Sequence, residues 1–218
     1  MHEPVTFVYR DGGTEWLGEA AAPDDADSPI LRAALHGEQE AVRFTRAGGR
    51  GIVLRFGGFY GADAPSSRET IEMARRRMLP RIGAGLNYFS SIYVPDAGRA
   101  TAASIGLPAG IYNVCADEPV VLSEYADAVI AAAGAPKPVR LPAFFGSLLF
   151  DEIWKYFPRS LRVSNAKLKA PSGRQPEVRS VREGWWRRNP RKMNLFASCE
   201  NPMQCVGCRA NINYLLST

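Results

Sequence analysis

A short apolar run closed in by glycines, Ile52-Val53-Leu54-Arg55-Phe56 between Gly51 and Gly57-Gly58, constrains this chain more than any other stretch. Its length and its glycine borders predict a strand buried in a sheet covered on both faces, the setting of parallel sheets flanked by helices. Gly57, Gly58 and Gly61 follow at once. Ligands of open α/β sheets bind in the crevice beyond the carboxyl ends of the strands, and a residue without a Cβ lets a ligand come close to the backbone. The same glycines would equally serve a tight exit from a buried strand, so both readings stand at this point.

The neighbouring stretches fit that setting. Val5-Thr6-Phe7-Val8-Tyr9 is β-branched and aromatic and runs into Asp11-Gly12-Gly13, which predicts a strand and a turn. Ser28-Pro29 offers an N-cap and a first-turn proline to a helix from Ile30 to Ala47, whose Leu31, Ala34, Leu35, Ala41, Val42 and Phe44 share one face and which Gly48-Gly49 ends. Strand, helix and strand of this size make a right-handed parallel crossover. Downstream, a short helix follows Ser66-Ser67-Arg68-Glu69 and closes at Pro80, Asn87 to Val94 is extended, and Asp96 caps a helix through Ile105. Ile111-Tyr112-Asn113-Val114-Cys115 reads as another short strand and Ser123 as the cap of a helix through Ala133. Pro138 to Pro142 is extended, Phe144 to Phe157 is a helix packed on the core, and Ser164 to Lys169 is one more short helix.

A chain of 218 residues, 46% hydrophobic and 22% charged, buries a sizeable core in one or two globular domains. No apolar run reaches the length of a membrane span, and Met1-His2-Glu3-Pro4 lacks the charged and apolar regions of a signal peptide, so the cytoplasm is the expected location. Much of the net charge of +5 falls in Arg174 to Lys192 and the remainder is nearly balanced, which argues against nucleic acid as a partner. Composition shifts to Arg, Pro, Ser and Trp in that part, so residues 1–172 are the expected folded region. Residues 173–218 are expected to be a basic, loosely ordered tail with one helix near Val181. Cys199, Cys205 and Cys208 in the tail invite a zinc reading, but a structural site wants four ligands and no histidine lies there, so no metal is assigned. Trp185-Trp186-Arg187-Arg188 with Arg191-Lys192 is either a basic aromatic cluster for bases or anionic lipid, or a solvated end.

Taken together, Leu54-Arg55-Phe56-Gly57-Gly58-Phe59-Tyr60-Gly61, Ile92-Tyr93-Val94-Pro95-Asp96, Tyr112-Asn113-Val114 and Ser160 to Leu168 form an ordered series. It resembles the NAD-dependent epimerase/dehydratase family, the extended short-chain dehydrogenases, over Pro4 to Trp185. That family's strand-end motif reads Leu-Arg-x-x-x-x-Tyr-Gly and its second motif Ile-His-Val-x-Asp. The resemblance implies an α/β fold, NAD or NADP as cofactor and a nucleotide sugar or similar small molecule as substrate.

Two parts of the family pattern are not found in these residues. One is the opening strand with its Gly-x-x-Gly-x-x-Gly loop, which holds the pyrophosphate on backbone amides at a helix N-terminus. With Val5 to Tyr9 as the family's fifth strand, what remains is a partial Rossmann-like parallel sheet made of the C-terminal strands, with a small mixed α/β substrate-side region. The other is the Tyr, with a Lys four residues on, whose charge lowers the phenol pKa for proton transfer. With the family's downstream Glu set at Glu40, those positions fall on Arg32 and His36. His36 is then an acid/base candidate or a solvated helix residue, and Arg32 cannot give up a proton. By resemblance Phe56 and Gly57 are cofactor contacts, and Gly58, Tyr60, Asn87 and Tyr93 are substrate contacts. The family's substrate-holding Asn falls on Gly58. Asp96 reads as a helix cap or a catalytic carboxylate. The expected function is that of a truncated epimerase/dehydratase-like protein without independent catalysis. The alternative is a non-catalytic binding or assembly module that pairs, by self-association or with another chain, through its exposed sheet edge.

Overall fold

The structure is a computed structural model and describes residues 1–24, 28–61, 64–79, 81–82, 84–136, 140–141, 158–173 and 175–185. The expected extended segment at Pro138 to Pro142 falls mostly outside these residues, and the expected helix at Phe144 to Phe157, the three tail cysteines and the basic cluster beyond Trp185 fall wholly outside them.

In chain order the elements are β1 (Trp16–Leu17), α1 (Pro29–Arg46), β2 (Ile52–Phe56), β3 (Gly58–Tyr60), α2 (Pro65–Arg75), β4 (Arg81–Ile82), β5 (Tyr88–Phe89), β6 (Ser91–Tyr93), α3 (Val94–Ser104), β7 (Gly110–Val114), β8 (Val120–Val121), α4 (Leu122–Ala133), β9 (Arg140–Leu141), β10 (Arg162–Val163), α5 (Ala166–Ser172) and α6 (Val181–Gly184). The fold is mixed α/β. Its centre is the parallel pair β2 and β7, in register from Ile52 opposite Gly110 to Phe56 opposite Val114. All five residues of β2 are buried, as a strand covered on both faces must be.

Alternation along β2 divides the layers. Ile52, Leu54 and Phe56 pack with Ala97 and Ala100 of α3, Tyr112 and Val114 of β7, and Leu168 of α5. Arg55 points the other way, to Glu38 on α1. Short strands build the remaining mixed region: β3 with β6, β1 with β10 and β4 with β9 are parallel, and β5 with β8 is antiparallel.

The first strand differs from expectation. The backbone that runs beside β2 is His2 to Val5, held by His2 N–H to Ile52 O (3.0 Å), Leu54 N–H to His2 O (2.9 Å) and Phe56 N–H to Pro4 O (2.9 Å). Thr6–Val8 then forms a 3-10 turn. Pro4 has no N–H to give the ladder, and Val8 and Tyr9 leave the sheet to enter a separate core with Leu31, Leu161 and Val163.

The C-terminal boundary also differs. Val178, Val181 and Trp185 are buried with Tyr60, Ile71 and Val129, so packed structure continues to Trp185 instead of ending at 172. Asp96 explains the docking. It lies in the first turn of α3, 2% exposed, and its carboxylate accepts the backbone N–H groups of Glu177 (2.9 Å) and Val178 (3.0 Å) and an Arg99 guanidinium N–H (2.8 Å). It is neither the cap of its own helix nor a solvent-facing acid. Ser123 likewise lies inside α4, whose cap is Val121, and Gly134 closes that helix in the left-handed region.

At the end of α2, Arg77 holds the left-handed conformation (φ 58°) while Arg77 N–H bonds Ala74 O and Met78 N–H bonds Met73 O. That post-helix position favours glycine, because a Cβ there crowds the following carbonyl. Arg77→Gly is expected to raise the unfolding free energy by about 0.5–1 kcal/mol. A urea melt with a higher midpoint and unchanged slope is the sign to look for, and a lowered midpoint would contradict it.

Candidate functional site

The crevice beyond β2 and β7 is built by three consecutive backbone decisions. Gly57 N–H donates to Val114 O (3.0 Å), which carries the β2–β7 ladder one residue past Phe56. Gly58 N–H donates to Ser90 O (2.9 Å), which starts β3 alongside β6. Tyr60 then turns fully into the core. The glycines have a local explanation. A Cβ on Gly57 would lie 2.9 Å from Ser90 O, and one on Gly58 would lie 2.5 Å from the Phe89 ring. The space beside both glycines is taken up by the 89–91 segment.

Aromatic side chains complete the surroundings. Phe56 and Phe59 are 5.1 Å apart by ring centroids, and Phe7 and Phe89 are 6.4 Å apart. Tyr60 sits between Tyr93 (5.8 Å) and Trp185 (5.6 Å). Its hydroxyl is buried and has no hydrogen-bond partner among the described residues, and burial pushes its pKa well up from the ordinary phenol value. A phenol in that state holds its proton and cannot serve as a base.

The polar side chains nearby are engaged within the chain. Ser90 Oγ donates to Leu161 O (2.8 Å) and accepts Val163 N–H (2.9 Å). Asn113 accepts the Tyr9 hydroxyl (2.7 Å), gives its Nδ2 to Ser164 O (3.1 Å) and gives its backbone N–H to Glu19 (2.8 Å). Cys115 Sγ donates to Val163 O (3.3 Å), and burial raises its thiol pKa, so it is not poised as a nucleophile. Among the described residues no group of His, Cys, Asp and Glu could hold a metal ion.

Phe56, Gly57, Gly58, Tyr60 and Tyr93 are therefore brought together. Asn87 stands apart, half-buried, with Nδ2 on Arg159 O (3.1 Å). Arg32 and His36 are exposed on the side of α1 that faces away from the sheet. The residue sequence reasoning missed is Glu38. It meets Arg55 through two N···O contacts of 2.7 Å, with side chains 8% and 4% exposed. The Arg55 guanidinium also lies 4.7 Å from the Tyr9 ring centroid. Burial alone would lower the Arg55 pKa, but its hydrogen bonds and charge interactions with Glu38 and Tyr9 together outweigh that and keep it charged. Two signals could have found the pair: an arginine inside an apolar strand needs a buried counter-charge, and Glu38 is seven residues from Leu31, on the same helix face. Glu40, by contrast, is partly exposed and pairs with Arg43 at the surface (3.1 Å).

Solved structures give this arrangement its context. No protein-family model matches the sequence, and no curated protein does. A functionally unknown conserved protein from Silicibacter pomeroyi aligns over 84% of this chain and 63% of its own, with 26% identity and a TM-score of 0.69. Human epimerase family protein SDR39U1, solved with NADPH, aligns over 84% and 62% with 18% identity and a TM-score of 0.72. UDP-glucose 4-epimerase from Thermotoga maritima, solved with UDP-glucose, aligns over 84% and 59% with 20% identity and a TM-score of 0.66. The chain has the NAD-dependent epimerase/dehydratase fold. It spans 59–63% of the length of these structures. Within that fold the Gly57 and Gly58 amides at the end of β2 already donate and the Phe89 ring lies against Gly58. No helix of the described residues is long and apolar enough to cross a membrane.

Two sets of variants test this account. Glu38→Ala leaves a buried guanidinium unpaired and should cost about 3–5 kcal/mol of stability, whereas Glu40→Gln should stay within about 0.5 kcal/mol. Equal effects in chemical denaturation would show that the ion pair does not set the α1 register. Gly57→Ala and Gly58→Ala should each destabilise by about 1–3 kcal/mol through overpacking. Phe89→Leu should recover part of the Gly58→Ala loss and none of the Gly57→Ala loss, because only the first clash is with that ring. Equal rescue of both would refute the assignment of contacts.

Proposed function

We propose that this chain is the substrate-side part of an NAD(P)-dependent epimerase/dehydratase-type protein, and that residues 1–218 by themselves neither hold the dinucleotide nor carry out turnover. The observation that supports this reading is the filled crevice: the Gly57 amide is used by Val114, the Gly58 amide by Ser90, and the space beside the two glycines by Ser90, Ser91 and Phe89. The α1 register supports it from a second side. Counting from Glu40, the proton-transfer pair falls on Arg32 and His36; counting from Glu38, the carboxylate that meets the sheet, it falls on Ile30 and Ala34. Neither register provides a phenol beside an ammonium group, so the hydroxyl-to-ketone step of this fold's chemistry has no proton acceptor in α1.

The cofactor class is NAD or NADP, in line with the NADPH and NAD of solved structures that share the fold. The substrate class is a nucleotide sugar or a similar small molecule, in line with UDP-glucose in one of them. Gly58, Tyr60, Asn87 and Tyr93 are the side of the fold assigned to that substrate. Tyr60 and Tyr93 act by shaping its wall, since Tyr60 is fully buried.

Titration calorimetry of the purified chain with NADH and NADPH tests the reading directly. The expected result is no saturable heat, which corresponds to a dissociation constant above about 1 mM. Micromolar binding of either nucleotide would overturn it.

A further inference from the structure

We propose that Arg162 is the centre of a binding site for a small organic carboxylate, whose oxygens take the side-on edge of the guanidinium and whose apolar body lies on Trp16. The site is on the ribbon of β1, β10 and β5, and it stands whether or not residues 1–218 hold a dinucleotide.

Cross-strand geometry fixes the guanidinium. Arg162 is the Cα partner of Trp16 in the parallel β1–β10 pair, and Leu161 N–H donates to Tyr88 O (2.8 Å), which brings β5 along the other flank of β10. The Arg162 Cζ accordingly lies 4.3 Å from the Trp16 ring centroid and 4.8 Å from that of Tyr88. Its Nη1 donates to Thr14 O (3.2 Å), so two rings and one carbonyl together set the orientation of the fork.

The opposite edge of the fork is the one that matters. Nε–H and one Nη2–H of an arginine point the same way, and a carboxylate can meet both at once. Nε of Arg162 is buried with no hydrogen-bond partner among the described residues, and Nη2 has none among them either. A charged N–H taken out of water and left unbonded costs free energy, so an oxygen partner at this edge is favoured.

Arg55 shows the same edge with its partner in place. Its guanidinium also lies on a ring, 4.7 Å from the Tyr9 centroid, and there Nε donates to Glu38 Oε1 and Nη2 to Glu38 Oε2, both at 2.7 Å. Arg162 repeats the ring contact, but no carboxylate of the described residues pairs with it. Arg55 is buried, whereas Trp16 beside Arg162 is 50% exposed, so a carboxylate can reach Arg162 from solution.

Charge selects a carboxylate over a phosphate. One fork supplies one positive charge, and Arg159, three residues earlier, is already paired with Asp24. A monoanion balances that single charge and a dianion would not. The half-exposed Trp16 indole next to the fork adds a flat apolar surface for a ring or chain attached to the carboxylate.

The probe is benzoate, added to the isotope-labelled full chain and followed in proton–nitrogen correlation spectra. The Arg162 Nε–H resonance, assigned through its own backbone, should shift saturably in the millimolar range, while that of Arg55, already bonded to Glu38, stays in place. Lysine keeps the charge and loses the fork, so Arg162→Lys should weaken benzoate binding about tenfold or more, read on the Trp16 indole N–H. Trp16→Leu should weaken it about threefold or more. Thermal unfolding checks that the variants fold, and the titration of the unsubstituted chain carries the test should either fail to. No saturable shift at Arg162, the same shift with sodium chloride at equal concentration, undiminished benzoate binding by folded Arg162→Lys, or displacement of benzoate by an equal concentration of inorganic phosphate would each overturn the assignment.

Discussion

A guanidinium inside an apolar strand organises much of this molecule. Arg55 lies among Ile52, Val53, Leu54 and Phe56, 3% exposed, where an unpaired charge would cost several kcal/mol. Glu38 neutralises it, Tyr9 lies against its face, the Tyr9 hydroxyl bonds Asn113, and Glu19 and Ser164 complete the partners of Asn113. One polar seam thus joins α1, β2, β7 and the segments that follow β1 and β10. The seam also fixes how α1 is rotated. With Glu38 and Leu31 toward the sheet, Arg32 and His36 must face solvent, and no side-chain rotation brings them to the end of β2.

The glycines after Phe56 show how a local signal can be read correctly as geometry and remain open as function. Their presence announces a close approach of something to the backbone. That the approaching group is Ser90, Ser91 and Phe89 depends on a segment more than thirty positions further along the chain, and no pattern near Gly57 carries that information. Aromatic packing then makes the result hard to reverse, since Phe89 also meets Tyr125 edge-on (4.9 Å) and so belongs to the α4 side of the core.

The strands β2 and β7, the helix α1 and the helices α2 to α4 were legible because each rests on local terms: apolar runs of strand length, a proline at a helix start, a glycine or proline at its end. The resemblance in motif order was legible for the same reason and gave the fold. What escaped were features set by partners distant in sequence. His2 to Val5 joins the sheet through bonds to residues 52–56, not through any β-propensity of its own, while the more strand-like Val5 to Tyr9 is pulled into another core. The segment ending at Trp185 is polar enough to read as a tail, yet the Asp96 carboxylate captures two of its N–H groups and three of its apolar side chains find a core. Buried ion pairs and buried carboxylate anchors leave only a weak mark in a single sequence, because the same residue types are commonest on surfaces.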